Sequence, residues 1–315
     1  MALVIPVVDG SATPINVPAL GVYAGPGAGG VAAAAHFGEQ TGAAPAHVLD
    51  FAGTDSWSNL TGPSWLFAPH ATSSARLEYS LPLLPTGSQY TLAACAAGDY
   101  DSHWQTLGAN LVNDKLANTI VRPGWEFNGT WYSWSAKGQV SNFVGCYRQV
   151  VDTMRAVPGQ HFAFDWNPSL GLNAFPAEQA YPGNAYVDYI GVDAYDISSV
   201  DYTSSEHGAD AQTKVWSDLL DGDHGLRFWS SFAAAHNKPL AIPEWGVTYL
   251  ANGHGGGDDP SYIQHMFDFM KEPGNHVAYE DYFDYGSPTN QHRLTGTTLF
   301  PQSAAEFAKQ VASLH

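Results

Sequence analysis

Short β-branched or apolar runs alternate with helical patterns along this chain, and that alternation restricts it to folds built around a parallel sheet. The runs cover residues 19–24, 47–51, 76–84, 119–121, 162–166, 187–195, 238–247 and 277–285. The spacing predicts helices over residues 31–41, from the Gly98–Trp104 stretch to Leu116, and over 139–154, 212–235, 260–271 and 304–314. In the 139–154 helix, Phe143, Tyr147, Val150, Val151 and Met154 recur at steps of three and four, which marks a buried stripe. Eight alternations in 315 residues suit an α/β protein of one domain, a (β/α)8 TIM barrel spanning 1–315 behind a short extended N-terminal arm. No linker, low-complexity tail or internal repeat interrupts the pattern.

Two of the runs end in a glutamate. Residues 118–134 read Asn-Thr-Ile-Val-Arg-Pro-Gly-Trp-Glu-Phe-Asn-Gly-Thr-Trp-Tyr-Ser-Trp, so a strand closes at Arg122 and Pro123 and Glu126 follows among aromatic rings. A carboxyl against apolar rings has its charged form disfavoured, and it can then hold a proton near neutral pH as a general acid must. The faces of Trp125, Trp131 and Trp134 also suit the C–H faces of pyranose rings. Residues 238–247, Lys-Pro-Leu-Ala-Ile-Pro-Glu-Trp-Gly-Val, deliver Glu244 in the same way, with Trp245 after it. In a barrel both glutamates would face one cleft at the C-terminal ends of the strands. One carboxyl would then act as acid and base, and the other would attack a sugar or activate water.

Composition narrows the ligand. The net charge of -18, from 30 acidic against 12 basic residues, argues against nucleic acid or an anionic membrane as a partner. A neutral oligo- or polysaccharide fits better, and aromatic residues at 13% equal the charged fraction. No run is long and apolar enough for a membrane span, and the first residues carry no secretion signal. Cys95 and Cys146 match neither a metal site nor a Cys-x-x-Cys pair, which leaves them either free or joined in one disulfide.

Other patterns are weaker. The glycine-rich turn at 25–30 lacks the Gly-Lys-Ser/Thr ending of a phosphate loop. His254 lies near Asp258 and Asp259 without metal-ligand spacing, so neither metal nor cofactor is expected. No Gly-x-Ser-x-Gly elbow supports a serine hydrolase. Asp50, Asp99, Asp193 and Asp196 at strand or loop ends are open as sugar ligands or as solvated loop acids.

The segment 122–134 resembles the acid/base segment of glycoside hydrolase family 26, the β-mannanase family, whose common form is Arg-Pro-x-His-Glu-x-Asn-Gly-x-Trp-x-x-Trp. Residues 181–195, Tyr-Pro-Gly-Asn-Ala-Tyr-Val-Asp-Tyr-Ile-Gly-Val-Asp-Ala-Tyr, resemble that family's strand-six segment, and 238–246 its nucleophile strand. The resemblance implies a retaining hydrolase of the barrel clan with Glu126 as acid/base and Glu244 as nucleophile. It implies Tyr195 in contact with the nucleophile and Arg122 beneath it. Substrate contact is expected from Arg122, Trp125, Asn128, Trp131, Trp134, Tyr195, Trp245 and Phe283.

This chain departs from the pattern twice. Trp125 stands where the family has histidine, and strand eight offers Tyr282, Phe283 and Tyr285 where the mannanases place a tryptophan. The expectation is cleavage of a cell-wall polysaccharide, β-mannanase-like, by double displacement. The alternatives are a related hydrolase on xylan or an arabinose-containing glycan, and a carbohydrate-binding barrel without catalysis. A secreted, extracellular monomer is expected, with a cytoplasmic location as the alternative.

Overall fold

A computed structural model describes residues 16–171, 173–203 and 208–314. The arm expected ahead of the first strand lies, over residues 1–15, outside them. Eight parallel strands form the sheet: β1 Ala19–Tyr23, β2 His47–Phe51, β3 Arg76–Leu81, β4 Ile120–Pro123, β5 Ala163–Trp166, β6 Tyr189–Gly191, β7 Leu240–Gly246 and β8 Val277–Phe283. Each pairs with the next, and β8 returns to β1 with Ala19 opposite Tyr279 and Tyr23 opposite Phe283, which closes the barrel. The (β/α)8 expectation is met. A two-residue strand, Ala194–Tyr195, follows β6 and pairs with the end of β7, so Tyr195 sits beside Gly246.

The barrel interior departs from the branched apolar filling usual in this fold. Alternate positions of the strands carry Glu78, Arg122, Asp165 and Asp281, all fully buried. The Arg122 guanidinium reaches Glu78 Oε1 at 3.2 Å. Across the barrel, the Tyr279 hydroxyl donates to Asp165. Glycines in two strands make room for these carboxyls: a Cβ on Gly21 would lie 2.1 Å from Asp281 Oδ1, and one on Gly191 would lie 2.5 Å from Asp165 Oδ1. Burial raises Asp165 and Asp281 each to about 7.

Outside the sheet, the apolar stripes of the helices meet the strands. Phe143, Tyr147, Val150, Val151 and Met154 are all fully buried on the helix Val140–Arg155, as their spacing requires. The same helix carries Cys146, which forms a disulfide with Cys95 of the helix Leu92–Ala96 across a Cα–Cα distance of 4.8 Å. Two helices, Ala209–Asp221 and Leu226–Ala235, replace the single one expected over 212–235. Gly222 and Gly225 break it: a Cβ on Gly225 would lie 2.8 Å from the Leu219 carbonyl oxygen. A small antiparallel sheet, Tyr249–Leu250 with Gly286–Ser287 and Asn290–Gln291, was not expected and joins the segments that follow β7 and β8. No described helix is long and apolar enough to cross a membrane.

Candidate active site

Past the end of β4 the backbone turns through two left-handed residues, Gly124 at φ 63° and Glu126 at φ 51°. A non-glycine residue in that region is strained by about 1 kcal/mol or more and persists only where its surroundings hold it. Here the Glu126 N–H donates to the Asn167 carbonyl at 2.7 Å. Asn128 fastens the loop further, its amide donating to the Ser169 carbonyl at 2.8 Å and accepting from the Ser169 N–H at 2.9 Å. The Trp131 indole N–H donates to Glu126 Oε2 at 2.8 Å. Burial and then the charge of Glu244 push the Glu126 carboxyl up to about 7, against the opposing bond from Trp131.

Glu244 is held very differently. The residue is nearly buried, at 6% exposed. Arg122 Nη2 donates to Oε1 at 3.0 Å and the Tyr195 hydroxyl to Oε2 at 2.8 Å. Arg122 is itself fixed from several strands: Nη1 donates to Ser80 Oγ at 2.8 Å, Nε to Asn167 Oδ1 at 2.8 Å, and Nη2 to both oxygens of Asp193 at 3.0 and 3.1 Å. Burial works against its charge, but the carboxylates of Asp193, Glu244 and Glu78 outweigh burial and hold the guanidinium firmly protonated. Asn167 joins the halves of the site, because its side chain meets Arg122 while its backbone carbonyl receives the Glu126 N–H.

The expected cleft wall needs correction. Trp245 is fully buried, donates to Glu280 and packs its ring against Tyr282 at 5.0 Å and Phe307 at 5.9 Å, so it belongs to the layer between barrel and helices. Trp134 is 2% exposed, bonded to the Trp125 carbonyl at 2.9 Å and stacked on Tyr132 at 4.4 Å, which makes it the underside of the loop. Arg122 and Asn128, also expected at the substrate, are fully buried, Arg122 on Glu244 and Asn128 on the Ser169 backbone. Trp125 keeps only a thin edge open at 5%, whereas Trp131 is 53% exposed. Phe283 stands at the end of β8, its ring 5.8 Å from Tyr195 and 4.8 Å from Tyr23.

Three acids that stood open as sugar ligands turn inward. Asp50 accepts from the Gly27 N–H at 2.8 Å and meets His70 Nε2 at 3.1 Å, Asp196 accepts from the Tyr202 hydroxyl at 2.6 Å, and Asp193 serves Arg122. Asp258 and Asp259 bond the first N–H groups of two helices, Pro301–Ala312 and Pro260–Lys271. His292 went unnoticed in the sequence. It is 4% exposed, its ring packs 4.7 Å from Tyr195, and burial lowers it to about 4, so a neutral imidazole backs the tyrosine that grips Glu244. Only a pairing in space could reveal it.

Fold and site together define a (β/α)8 barrel with two glutamates at strand ends in unlike electrostatic settings. The chain is a glycosyl hydrolase family 26-like barrel, and that family's model matches residues 64–215, which include Glu126 and Tyr195. It is 30% identical over 142 residues to a mannan endo-1,4-β-mannosidase of Bifidobacterium adolescentis, a match covering 44% of this chain and 13% of that protein. It is 25% identical over 183 residues to endoglucanase H of Acetivibrio thermocellus, covering 54% of this chain and 18% of that one. The matches thus span less than a fifth of either curated relative. In fold it is similar to an endo-β-1,4-mannanase double mutant from Cellulomonas fimi, with a TM-score of 0.62 and 20% identity, over 92% of this chain and 68% of that one.

Proposed function

We propose that this chain is a retaining glycoside hydrolase acting on a mannan-type cell-wall polysaccharide. The observation that carries the reading is the contrast between the two glutamates: Glu126 is raised to about 7, while Glu244 accepts from Arg122 and Tyr195. Glu126 then gives its proton to the glycosidic oxygen as the leaving sugar departs, and Glu244 attacks the anomeric carbon to form a glycosyl ester. In the second half Glu126 takes a proton from water, the water oxygen bonds to the anomeric carbon, and the Glu244 carboxylate is released. Arg122 and Tyr195 keep both oxygens of Glu244 oriented through the cycle.

Similarity to a mannan endo-1,4-β-mannosidase supports mannan as the first substrate to try. Trp125 and the Phe283–Tyr285 end of β8 keep a related glycan in view, because these rings replace residues typical of the mannanases. A Cys95–Cys146 disulfide suits an oxidising compartment and supports action outside the cytoplasm. The test is release of reducing ends from β-mannan, β-glucan, xylan and arabinan by the wild type and Glu126→Ala. Hydrolysis of mannan by the wild type alone is expected. Binding of these glycans with no hydrolysis of any would instead establish a carbohydrate-binding barrel.

A further inference from the structure

Two acids of the barrel interior take no part in the double displacement. Glu78 on β3 and Asp281 on β8 are fully buried, and none of their four carboxyl oxygens accepts a hydrogen bond from an N–H or a hydroxyl among the described residues. Arg122 Nε faces Glu78 Oε1 at 3.2 Å, yet its N–H bonds Asn167 Oδ1 at 2.8 Å. What each carboxyl does reach is the other. Asp281 occupies space that Gly21 leaves open, since a Cβ there would lie 2.1 Å from Oδ1.

Two ionised carboxylates in contact repel each other, and buried acceptors without a donor are costly. One proton between them removes both faults, because it supplies the missing O–H donor and halves the charge. The groups facing the pair fix the count at one. Arg122 on β4 attracts both acids, whereas Glu244 on β7 and Asp165 on β5, itself bonded to the Tyr279 hydroxyl, repel Asp281. A second charge would therefore stand unpaired, and with no charge at all Arg122 Nε would face a neutral oxygen at 3.2 Å. Arg122 divides its own charge among Glu78, Asp193 and Glu244. Whatever charge the pair keeps thus bears on the hold over the nucleophile.

We propose that Glu78 and Asp281 share one proton, and that the single negative charge they keep beside Arg122 makes them positioning residues which set how tightly Arg122 holds Glu244. The effect on rate rests on the hydrolase reading of Glu244, while the shared proton stands on the barrel core alone. In the first half of the reaction Glu244 spends its charge on the anomeric carbon, so a tighter hold by Arg122 slows attack. In the second half the carboxylate regains that charge as it leaves, and a tighter hold helps it go. The pair balances the two halves.

Neutron diffraction from crystals of the whole chain in D2O at neutral pD tests the proton. One deuterium between Glu78 and Asp281 is expected, and none, or one on each carboxyl, would overturn the proposal. The rate effect is read on a 2,4-dinitrophenyl β-mannoside, where kcat/KM reports formation of the glycosyl ester and kcat its hydrolysis. Glu78→Gln/Asp281→Asn removes the charge beside Arg122, so kcat/KM should fall about tenfold while kcat does not fall. Glu78→Gln or Asp281→Asn alone restores the charge, its amide donating to the acid that remains, and should recover most of kcat/KM. Equal falls in kcat and kcat/KM would show a structural role and overturn the positioning claim, as would no fall, or single variants as impaired as the double one. The neutron map needs no variant, so a double variant that does not fold leaves the shared proton open to refutation. If the wild type releases dinitrophenol from no glycoside, the hydrolase reading fails, and the map still decides whether the proton is shared.

Discussion

The indole N–H of Trp131 lies 2.8 Å from Glu126 Oε2, which makes the most exposed ring on this loop a direct partner of the Glu126 carboxyl. The bond stabilises the charged carboxylate and so opposes the rise that burial and Glu244 impose. Removing the N–H while keeping a ring should therefore raise the carboxyl further. In Trp131→Phe the basic limb of the kcat/KM profile, expected near 7 in the wild type, should move to higher pH. A limb that stays in place or moves down would show that Trp131 does not bond Glu126 in the working enzyme.

Tyr195 gives a second prediction. Its hydroxyl donates to Glu244 beside Arg122, and a hydrogen bond to a charged group is worth about 1.5–3 kcal/mol. Tyr195→Phe should lower kcat roughly ten- to a hundredfold with little change in melting temperature, since the ring stays packed on Phe283 and His292. A loss in KM alone would mean that the hydroxyl serves the sugar and not the nucleophile.

Stability should depend on pH through the barrel core. Asp165 and Asp281 are raised to about 7 in the folded state, above their unfolded values. The unfolded chain thus loses these protons first, and the stability they confer is present in mild acid and lost as pH rises through about 7. The melting temperature should fall between mild acid and mild alkali. Asp165→Asn, which has no proton to lose, should make that slope shallower by roughly 1.4 kcal/mol per pH unit. An identical slope in the variant would place the pH dependence elsewhere.

Much of this architecture was legible because strands and helices announce themselves by period. β2 and the helix Pro260–Lys271 fall where their patterns put them, and the two glutamates stand at the ends of apolar runs. The likeness between Trp-Glu and Glu-Trp was misleading. Trp245 lies within β7, where successive side chains alternate between faces, so a neighbour of inward-facing Glu244 must point outward into the helical layer. Trp125 lies beyond β4, free of that alternation. The same rule would have exposed the polar core, since Glu78 and Ser80, Asp165 and Asn167 occupy every second position. Their partnerships through Arg122 join strands far apart in sequence, and no local pattern carries them. The broken helix did carry a signal, a pair of glycines at 222 and 225.

The central claim is that Glu126 is the acid/base and Glu244 the nucleophile. Azide rescue of Glu126→Ala and Glu244→Ala on a 2,4-dinitrophenyl β-glycoside of the preferred glycan tests it most directly, with the anomer of the glycosyl azide read by NMR. In Glu244→Ala azide takes the place of the missing carboxylate and should give the α-azide. In Glu126→Ala the ester on Glu244 still forms, and azide should displace it to give the β-azide. The opposite pair of anomers would exchange the two roles, and α-azide from both variants would contradict the covalent intermediate altogether.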